Sequence, residues 1–413
     1  MSVADLVRRR GFRDLLVGQG VSALGDWMGT VAFMALTLEL TDSPAAVGGI
    51  LTLRLLPAVV GGPLAAKAVR HWDRRTTMLV MDGLRAGMIA LVPLVRAIWW
   101  VYALAFAVEV ASIVFLPARD SSIPDLVDEV DLPVANGLVL GSSYATIPLG
   151  AAAFALVAAL PGASPFDRPF ALVFWIDALT FLVSYACIRR LTMLPPRTVD
   201  ASGEEPVHFR AAFRIPLVRA VMPATAAVAL GLGALFSLGI VFVRDVLDAS
   251  DTEFGILIAL FGVGAVGGLG LLQLRRGRDP LAETRLGVAA IGAIVAAFSL
   301  AGSLALAFLG AIGFGAAAAF TLASGMGALQ SHLDGDRRVV AFAAFHVVIR
   351  LALGTAAIAA GIAGDLLGPQ DWPGLGVLAP ARVVLLGSGV LILGSALLVR
   401  EHPEPVPGAE PAA

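Results

Sequence analysis

The sequence predicts an all-α integral membrane protein with twelve transmembrane helices in two pseudo-symmetric six-helix bundles. Three observations carry that expectation. First, 58% of the 413 residues are hydrophobic and only 15% are charged, with a mean hydropathy of +0.87. Soluble domains carry roughly a quarter charged residues, so a water-facing surface could not be covered here. Second, twelve apolar stretches recur along the chain, each of about 18 residues or more and so able to cross ~30 Å of hydrocarbon as a helix. Third, the chain partly repeats itself at an offset of 206 residues, half its length: Gly49-Ile50-Leu51 and Val60-Gly61-Gly62 return as Gly255-Ile256-Leu257 and Val266-Gly267-Gly268. Two same-direction halves are how many secondary transporters place one site between rocking bundles.

The stretches centre near residues 27, 56, 86, 108, 147 and 178, then near 231, 263, 291, 318, 351 and 388. Arg8, Arg9, Arg10 and Arg13 before an apolar run superficially resemble a secretory signal. The run from Leu15 to Leu40 is too long for one and holds Gln19 and Asp26, so it reads as a retained first helix. Residues 1–14 are therefore an N-terminal segment and residues 15–188 the first bundle. In both repeats an acidic turn, Asp42 or Asp248, precedes the repeated run. A basic cluster follows each time: Lys67, Arg70, Arg74 and Arg75, then Arg275, Arg276 and Arg278. The longest loop, Arg189 to Arg219, is polar and contains Pro195, Pro196, Pro206 and Pro216; residues 189–217 are the expected linker and 218–400 the second bundle. So little polar sequence separates the ninth and tenth stretches that their boundary stays open. Residues 401–413 are Pro-rich, lack helical periodicity and are expected to be disordered.

With alternating helices and a cytoplasmic N-terminus, 22 of the 29 Lys and Arg residues fall on the cytoplasmic side, four in outer loops and three within helices. Cationic side chains resist translocation, so both termini are expected inside, in a bacterial cytoplasmic membrane.

Several stretches resemble the major facilitator superfamily, and within it the branch of macrolide-efflux proteins and the enterobactin exporter. They are Phe12-Arg13 with Gly18-Gln19, Ser22 and Leu24-Gly25-Asp26; Leu53-Arg54-Leu55-Leu56-Pro57 with Gly62-Pro63-Leu64-Ala65; and Asp73-Arg74-Arg75 with Asp82 and Leu84-Arg85-Ala86. Pro117-Ala118-Arg119 with Ile123-Pro124-Asp125-Leu126-Val127 and Ala135-Asn136 is the most specific, and Asp177-Ala178-Leu179 with Phe181-Leu182 and Ser184 completes the first half. The second half offers Gln330, Arg337-Arg338-Val339 and Gly364-Asp365-Leu366-Leu367-Gly368-Pro369. Two departures stand out. In the family an acid usually precedes the basic pair after helix two, where Arg70 stands here, leaving Asp73 to serve. The helix-five pattern of antiporters keeps its proline and one glycine in Ile147-Pro148-Leu149-Gly150 but lacks the glycine before the proline.

A charge at the bilayer centre costs on the order of 2.5–3.5 kcal/mol, so each one needs a partner or a purpose. Gln19, Ser22, Asp26 and Thr30 form one polar stripe on helix one. Asp26 is either a proton carrier or substrate partner, or the mate of Arg54, which sits at similar depth in helix two. The resemblance puts helices one and four on a central cavity. Tyr102, Glu109 and Ser112 share a face of helix four, and no base in that helix reaches Glu109. An unpaired carboxylate there can take and release a proton near neutrality. Asp73, Arg74, Arg75, Asp82, Arg85, Arg119 and Asp125 are expected to form a charge network on the cytoplasmic gate. Asp177, Thr180 and Ser184 read as glue between helices.

The second half is nearly free of buried charge. His346 and Arg350, at i and i+4, are the exceptions. Arg350 disfavours a second positive charge there, leaving His346 a minor pH-switch candidate, while Arg350 itself either attracts a substrate anion or pairs across the halves. Cys187 is the single cysteine, so an internal disulfide and a multi-cysteine metal site are excluded. No metal or cofactor is expected, no nucleic-acid partner, and no ATP-binding loop of the G-x-x-x-x-G-K-[ST] type is present. The glycines from Gly262 to Gly270 read as helix-packing residues. The expected function is therefore not enzymatic: a monomeric secondary transporter working by alternating access, exporting an amphipathic organic compound in exchange for protons. An importer of an organic anion, and a non-transporting sensor or assembly partner, are the alternatives.

Overall fold

A computed structural model of the chain describes residues 3–60, 72–128, 131–160, 170–191, 213–275, 278–332, 335–372 and 376–399. Among these, twelve helices of 16 or more residues follow one another. The first six are α1 (Arg10–Thr41), α2 (Pro44–Val60), α3 (Arg74–Leu91), α4 (Ile98–Asp120), α5 (Leu132–Ala158) and α6 (Ala171–Arg189). The second six are α7 (Pro216–Val241), α8 (Asp251–Leu274), α9 (Pro280–Ser299), α10 (Leu304–His332), α11 (Gly335–Leu366) and α12 (Pro380–Ser395). Each stretch read from the sequence has its centre inside the corresponding helix. Ten helices are long and apolar enough to cross a membrane, whereas the apolar helical segments Pro44–Pro57 of α2 and Thr146–Ala158 of α5 are shorter. In α2 the apolar run continues into residues that lie outside the described ones. Much of the expected linker, the tail beyond Arg400, and Gly61, Gly62, Lys67, Arg70 and Arg276 also lie outside them.

Two boundaries differ from the sequence reading. Helix α1 begins at Arg10 rather than Leu15 and follows a short helix, Val3–Arg8. Nothing between Arg10 and Asp14 breaks a helix, so its charged first turn extends past the apolar run. The open boundary between the ninth and tenth helices is a turn from Leu300 to Ser303. A small antiparallel hairpin, β1 (Gln370–Trp372) with β2 (Gly376–Leu378), joins α11 to α12.

The 206-residue offset is visible in the backbone. Asp42 and Asp248 both adopt the left-handed conformation, with φ of 53° and 52°, which a short polar side chain tolerates better than a branched one. At the other end of each repeat, Asp73 and Asp279 are helix N-caps. Asp73 accepts from Thr76 N at 2.8 Å, and Asp279 from Leu281 N and Ala282 N at 3.1 Å. These caps satisfy backbone donors that the first helical turn leaves unpaired.

Small residues set the packing. Gly18, Gly25 and Gly29 on α1 bring its backbone against Ser184, Thr180 and Asp177 on α6. Gly264 and Gly268 on α8 sit directly on the carbonyls of Ile312 and Ala316 on α10. The glycine run of α8 therefore serves close helix packing.

The two halves meet along α2–α11 and α5–α8. Gly48 lies against the Ala357 carbonyl, Gly361 against Pro44, Gly255 against Phe154 and Ala155, and Gly262 against Pro148. Four cross-half hydrogen bonds accompany them. Ser43 Oγ and Ala45 N donate to Asp365 Oδ2 at 2.6 and 3.2 Å, Thr52 Oγ1 to Gly354 O at 2.7 Å, and Ser237 Oγ to Pro44 O at 3.2 Å. All of these lie toward one face, here called distal; α1 starts and α6 ends on the opposite, terminal face. The buried apolar cluster on the distal side runs through both halves, from Phe33 and Phe154 to Leu238 and Phe254. On the terminal side the described residues bury separate clusters, around Phe12, Met78 and Phe115 in the first half and Val218, Met222 and Phe345 in the second. Among the described residues the halves are sealed distally and bury separate cores toward the terminal face.

Candidate functional site

Beneath the distal seal lies a chamber of ≈ 370 Å³ between the halves. Helix α1 turns Gln19, Ser22, Asp26 and Thr30 toward it, one residue or so around from the face it packs on α6. Arg54 comes from α2, Arg85 from α3, and Glu109, Ser112 and Arg119 from α4. Among the described residues the second half contributes Phe236 and Leu353, and every charged group on the wall comes from the first half.

Arg54 ties three helices together. Its Nε donates to Glu109 Oε1 at 2.9 Å, its Nη1 donates to Thr30 Oγ1 at 2.6 Å, and its guanidinium lies 5.3 Å from the Phe33 ring centre. The expectation of an unpaired Glu109 is therefore corrected: its base comes from α2, not from α4. The Asp26–Arg54 pair is corrected too. Among the described residues Asp26 makes no ion pair within 4.0 Å, although Arg54 and Arg85 act on it at longer range.

Arg85 pairs with Asp82 one turn earlier on α3 and is held between the Phe115 and Phe181 rings at 4.3 and 4.5 Å. Both side chains are buried, with Arg85 Nε and Asp82 Oδ2 left without hydrogen-bond partners. Arg85 lines the chamber, and Asp82 lies buried behind it. At the chamber's terminal end Arg119 donates to Gln19 Oε1 at 2.9 Å and to Asp120 Oδ1 at 2.8 Å.

The remaining charges brace the first half internally. Arg74 binds Asp125 and the Ser121 carbonyl, Arg75 donates to the Arg189 carbonyl at 2.5 Å at the end of α6, and Asp73 caps α3. Arg9 pairs with Asp128, and its hydrogen bond, then its charge, holds that exposed carboxyl below the usual aspartate range. These contacts cross loops within one half and none of them crosses to the other.

Three further expectations land elsewhere. Tyr102 is outside the chamber, with its hydroxyl donating to Ala46 O at 2.5 Å and fixing α4 to α2. Arg350 lies on α11 without an ion pair or hydrogen bond among the described residues and does not line the chamber. The His346 side chain is outside the described residues. Sequence reasoning missed Phe236 and Leu353, which stand in apolar runs with no feature that separates a chamber-facing residue from a lipid-facing one.

Two six-helix groups closed at one face over a polar chamber are the architecture of a multi-pass membrane transporter. A family model described as Major Facilitator Superfamily matches residues 15–357. The chain belongs to that superfamily and is a transporter, not an enzyme. It is 23% identical over 409 residues to the uncharacterized MFS-type transporter YvqJ of Bacillus subtilis (strain 168), covering 94% of this chain and 93% of that one. Over 128 residues it is 29% identical to the uncharacterized MFS-type transporter YfiS of the same organism, a match spanning 31% of either chain. Among solved structures, the nucleoside transporter NupG (D323A mutant) superposes with a TM-score of 0.75 at 13% identity, covering 95% of this chain and 100% of that one. An inward-facing, unoccupied bacterial homolog of the human lysosomal transporter Spinster gives 0.73 at 17% identity, covering 95% of each chain. At those identities the likeness concerns the fold alone.

Proposed function

We propose that the protein exports an amphipathic organic compound across the bacterial cytoplasmic membrane in exchange for protons, as a monomer working by alternating access. One observation carries the coupling assignment: among the described residues Asp26 faces the chamber without an ion pair, while Glu109 on the same wall and Asp82 behind it are each held by an arginine. Asp177, packed behind α1 with Thr180 as its hydrogen-bond partner, has no ion pair among them either but does not line the chamber. Asp26 is thus the chamber-facing acid whose charge can change without breaking a pair, so it alternates between a proton and the substrate. Glu109 and Arg54 form the fixed dipole beside it. Arg85 with Asp82, and Arg119 with Gln19, hold the wall; Asp73, Arg74, Arg75 and Asp125 keep the first half rigid as it rocks.

The arginine asymmetry supports a cytoplasmic location for both termini. The terminal face is then cytoplasmic, and the chamber in this conformation loads from inside. A charged first-half wall facing Phe236 and Leu353 suits an amphipath, and the residues resembling the macrolide-efflux and enterobactin-exporter branch support export. An organic-anion importer would need a cation to spare, and Arg54 is already neutralised by Glu109. Moving a neutral solute against a hundredfold gradient costs ~2.7 kcal/mol, and one proton falling through ~100 mV supplies ~2.3 kcal/mol before any pH term. A single switching carboxylate nearly suffices.

Growth inhibition across a compound panel, with and without the gene, identifies the substrate. An imposed proton gradient across inverted vesicles should then drive accumulation of that compound. Accumulation in right-side-out vesicles only would reverse the direction.

A further inference from the structure

A second cavity, of ≈ 40 Å³, lies within the second half on the distal side of the chamber, among α7, α8, α9 and α10. Its walls are apolar side chains and two glycines, with the rings of Phe254, Phe261, Phe298 and Phe314 among them. Phe236 lines both this cavity and the chamber, so one ring stands between the two spaces.

The cavity is several times the ~10–15 Å³ that one water needs, yet a water there would find no polar partner, so it stays dry. Its lining gives up dispersion contacts that an apolar guest would restore, and a guest displaces no bound water. The void is also not forced by loose helices. Immediately on the terminal side α8 and α10 touch backbone to backbone, with Gly264 on the Ile312 carbonyl and Gly315 on the Phe261 carbonyl. On the distal side of that crossing, aromatic rings surround the opening.

We infer that the cavity behind Phe236 is an apolar subsite of the transport chamber, which receives the edge of an aromatic ring or a small aliphatic group of the substrate when the Phe236 ring turns aside. This rests on the chamber being the substrate site. The polar end of the amphipath then stays at Asp26 on the first-half wall, and its apolar end is gripped by the second half. Both bundles hold one molecule, which is what couples their rocking to its passage.

Two measurements test this together: xenon pressurisation of crystals of the full chain, and efflux of N-phenyl-1-naphthylamine from proteoliposomes. Ala311 lines the cavity, and Ala311→Leu fills it. Wild type is expected to show a xenon peak enclosed by Phe254, Phe261 and Phe314, absent in Ala311→Leu. The variant is expected to raise the KM for the probe at least fivefold, with the effect in KM rather than kcat. If Ala311→Leu fails to fold, Phe236→Ala, which widens the entrance and keeps the cavity, should lower KM. No xenon in the wild-type cavity, or an unchanged KM in the folded variants, overturns the subsite while leaving the efflux reading standing. Xenon bound but no probe efflux by wild type overturns the efflux reading, and the subsite with it.

Discussion

Replacing Arg54 by methionine probes how the chamber wall is held. The change deletes the 2.9 Å pair with Glu109, the 2.6 Å hydrogen bond to Thr30 and the stack 5.3 Å over Phe33. The Arg54 and Glu109 side chains are only 12% and 23% exposed, so solvent screens the pair little. Stranding one member of such a pair costs ~3–5 kcal/mol; because Glu109 keeps some access to chamber water, the lower end, ~3 kcal/mol, applies. Removing both charges, with Arg54→Met and Glu109→Gln together, strands nothing and should cost ~1 kcal/mol. Asp26→Asn breaks no close ion pair and should cost under about 1 kcal/mol. Glu109→Gln alone strands Arg54 and should cost a similar ~3 kcal/mol. Reversible unfolding in bicelles, followed by steric trapping, gives the four free energies and the coupling term of a double-mutant cycle. A coupling of about 5 kcal/mol is what these figures imply. A silent Glu109→Gln together with an Asp26→Asn as costly as Arg54→Met would show that Arg54 belongs to Asp26, and the reasoning would fail.

Three other outcomes follow from the packing and the surface charges. Gly48→Ala drives a methyl group into the Ala357 carbonyl across the halves, at a cost of ~1–3 kcal/mol to the sealed state; cysteine labelling of distal-face positions should accelerate. Asp365→Ala removes a carboxylate that caps the start of α2 from the other half; the loss of ~1 kcal/mol of capping should raise distal labelling about fivefold. The Arg9–Asp128 contact depresses the Asp128 carboxyl, so its contribution is complete above the ordinary aspartate value of ~3.9. It is lost as pH falls through the lower folded value. Hydrogen exchange of residues 3–9 should therefore quicken only at strongly acid pH, and Asp128→Asn should quicken it at neutral pH.

Much of the architecture can be read from residue order alone. Length and hydropathy place all twelve helices, and the 206-residue offset anticipates paired special positions: left-handed Asp42 and Asp248, capping Asp73 and Asp279. Partners inside the chamber are a different matter. Spacing gives the depth of Asp26, Arg54 and Glu109 along their helices, and all three share a level. Which acid Arg54 meets depends on how α2 sits between α1 and α4. That is decided by Gly49, whose missing side chain admits Tyr102, and by the Tyr102 hydrogen bond to Ala46. A pattern of 3.6 residues per turn carries no information about that rotation. The apolar side of the site was illegible for a related reason. Phe236 and Leu353 look like their lipid-facing neighbours because hydrocarbon and a dry chamber wall select the same side chains.

In the proposed mechanism Asp26 couples proton movement to substrate movement in a chamber whose other wall acid, Glu109, is held in a fixed pair. Proteoliposomes holding wild type or Asp26→Asn should be compared in two modes, substrate counterflow at equal pH and accumulation driven by a proton gradient. Asp26→Asn should retain counterflow at saturating substrate, with a raised half-saturation concentration because an amide replaces the carboxylate the substrate meets, and lose gradient-driven accumulation entirely, since the rocking halves are intact and only the switchable charge is gone. Gradient-driven accumulation that persists at wild-type levels in Asp26→Asn would contradict the claim.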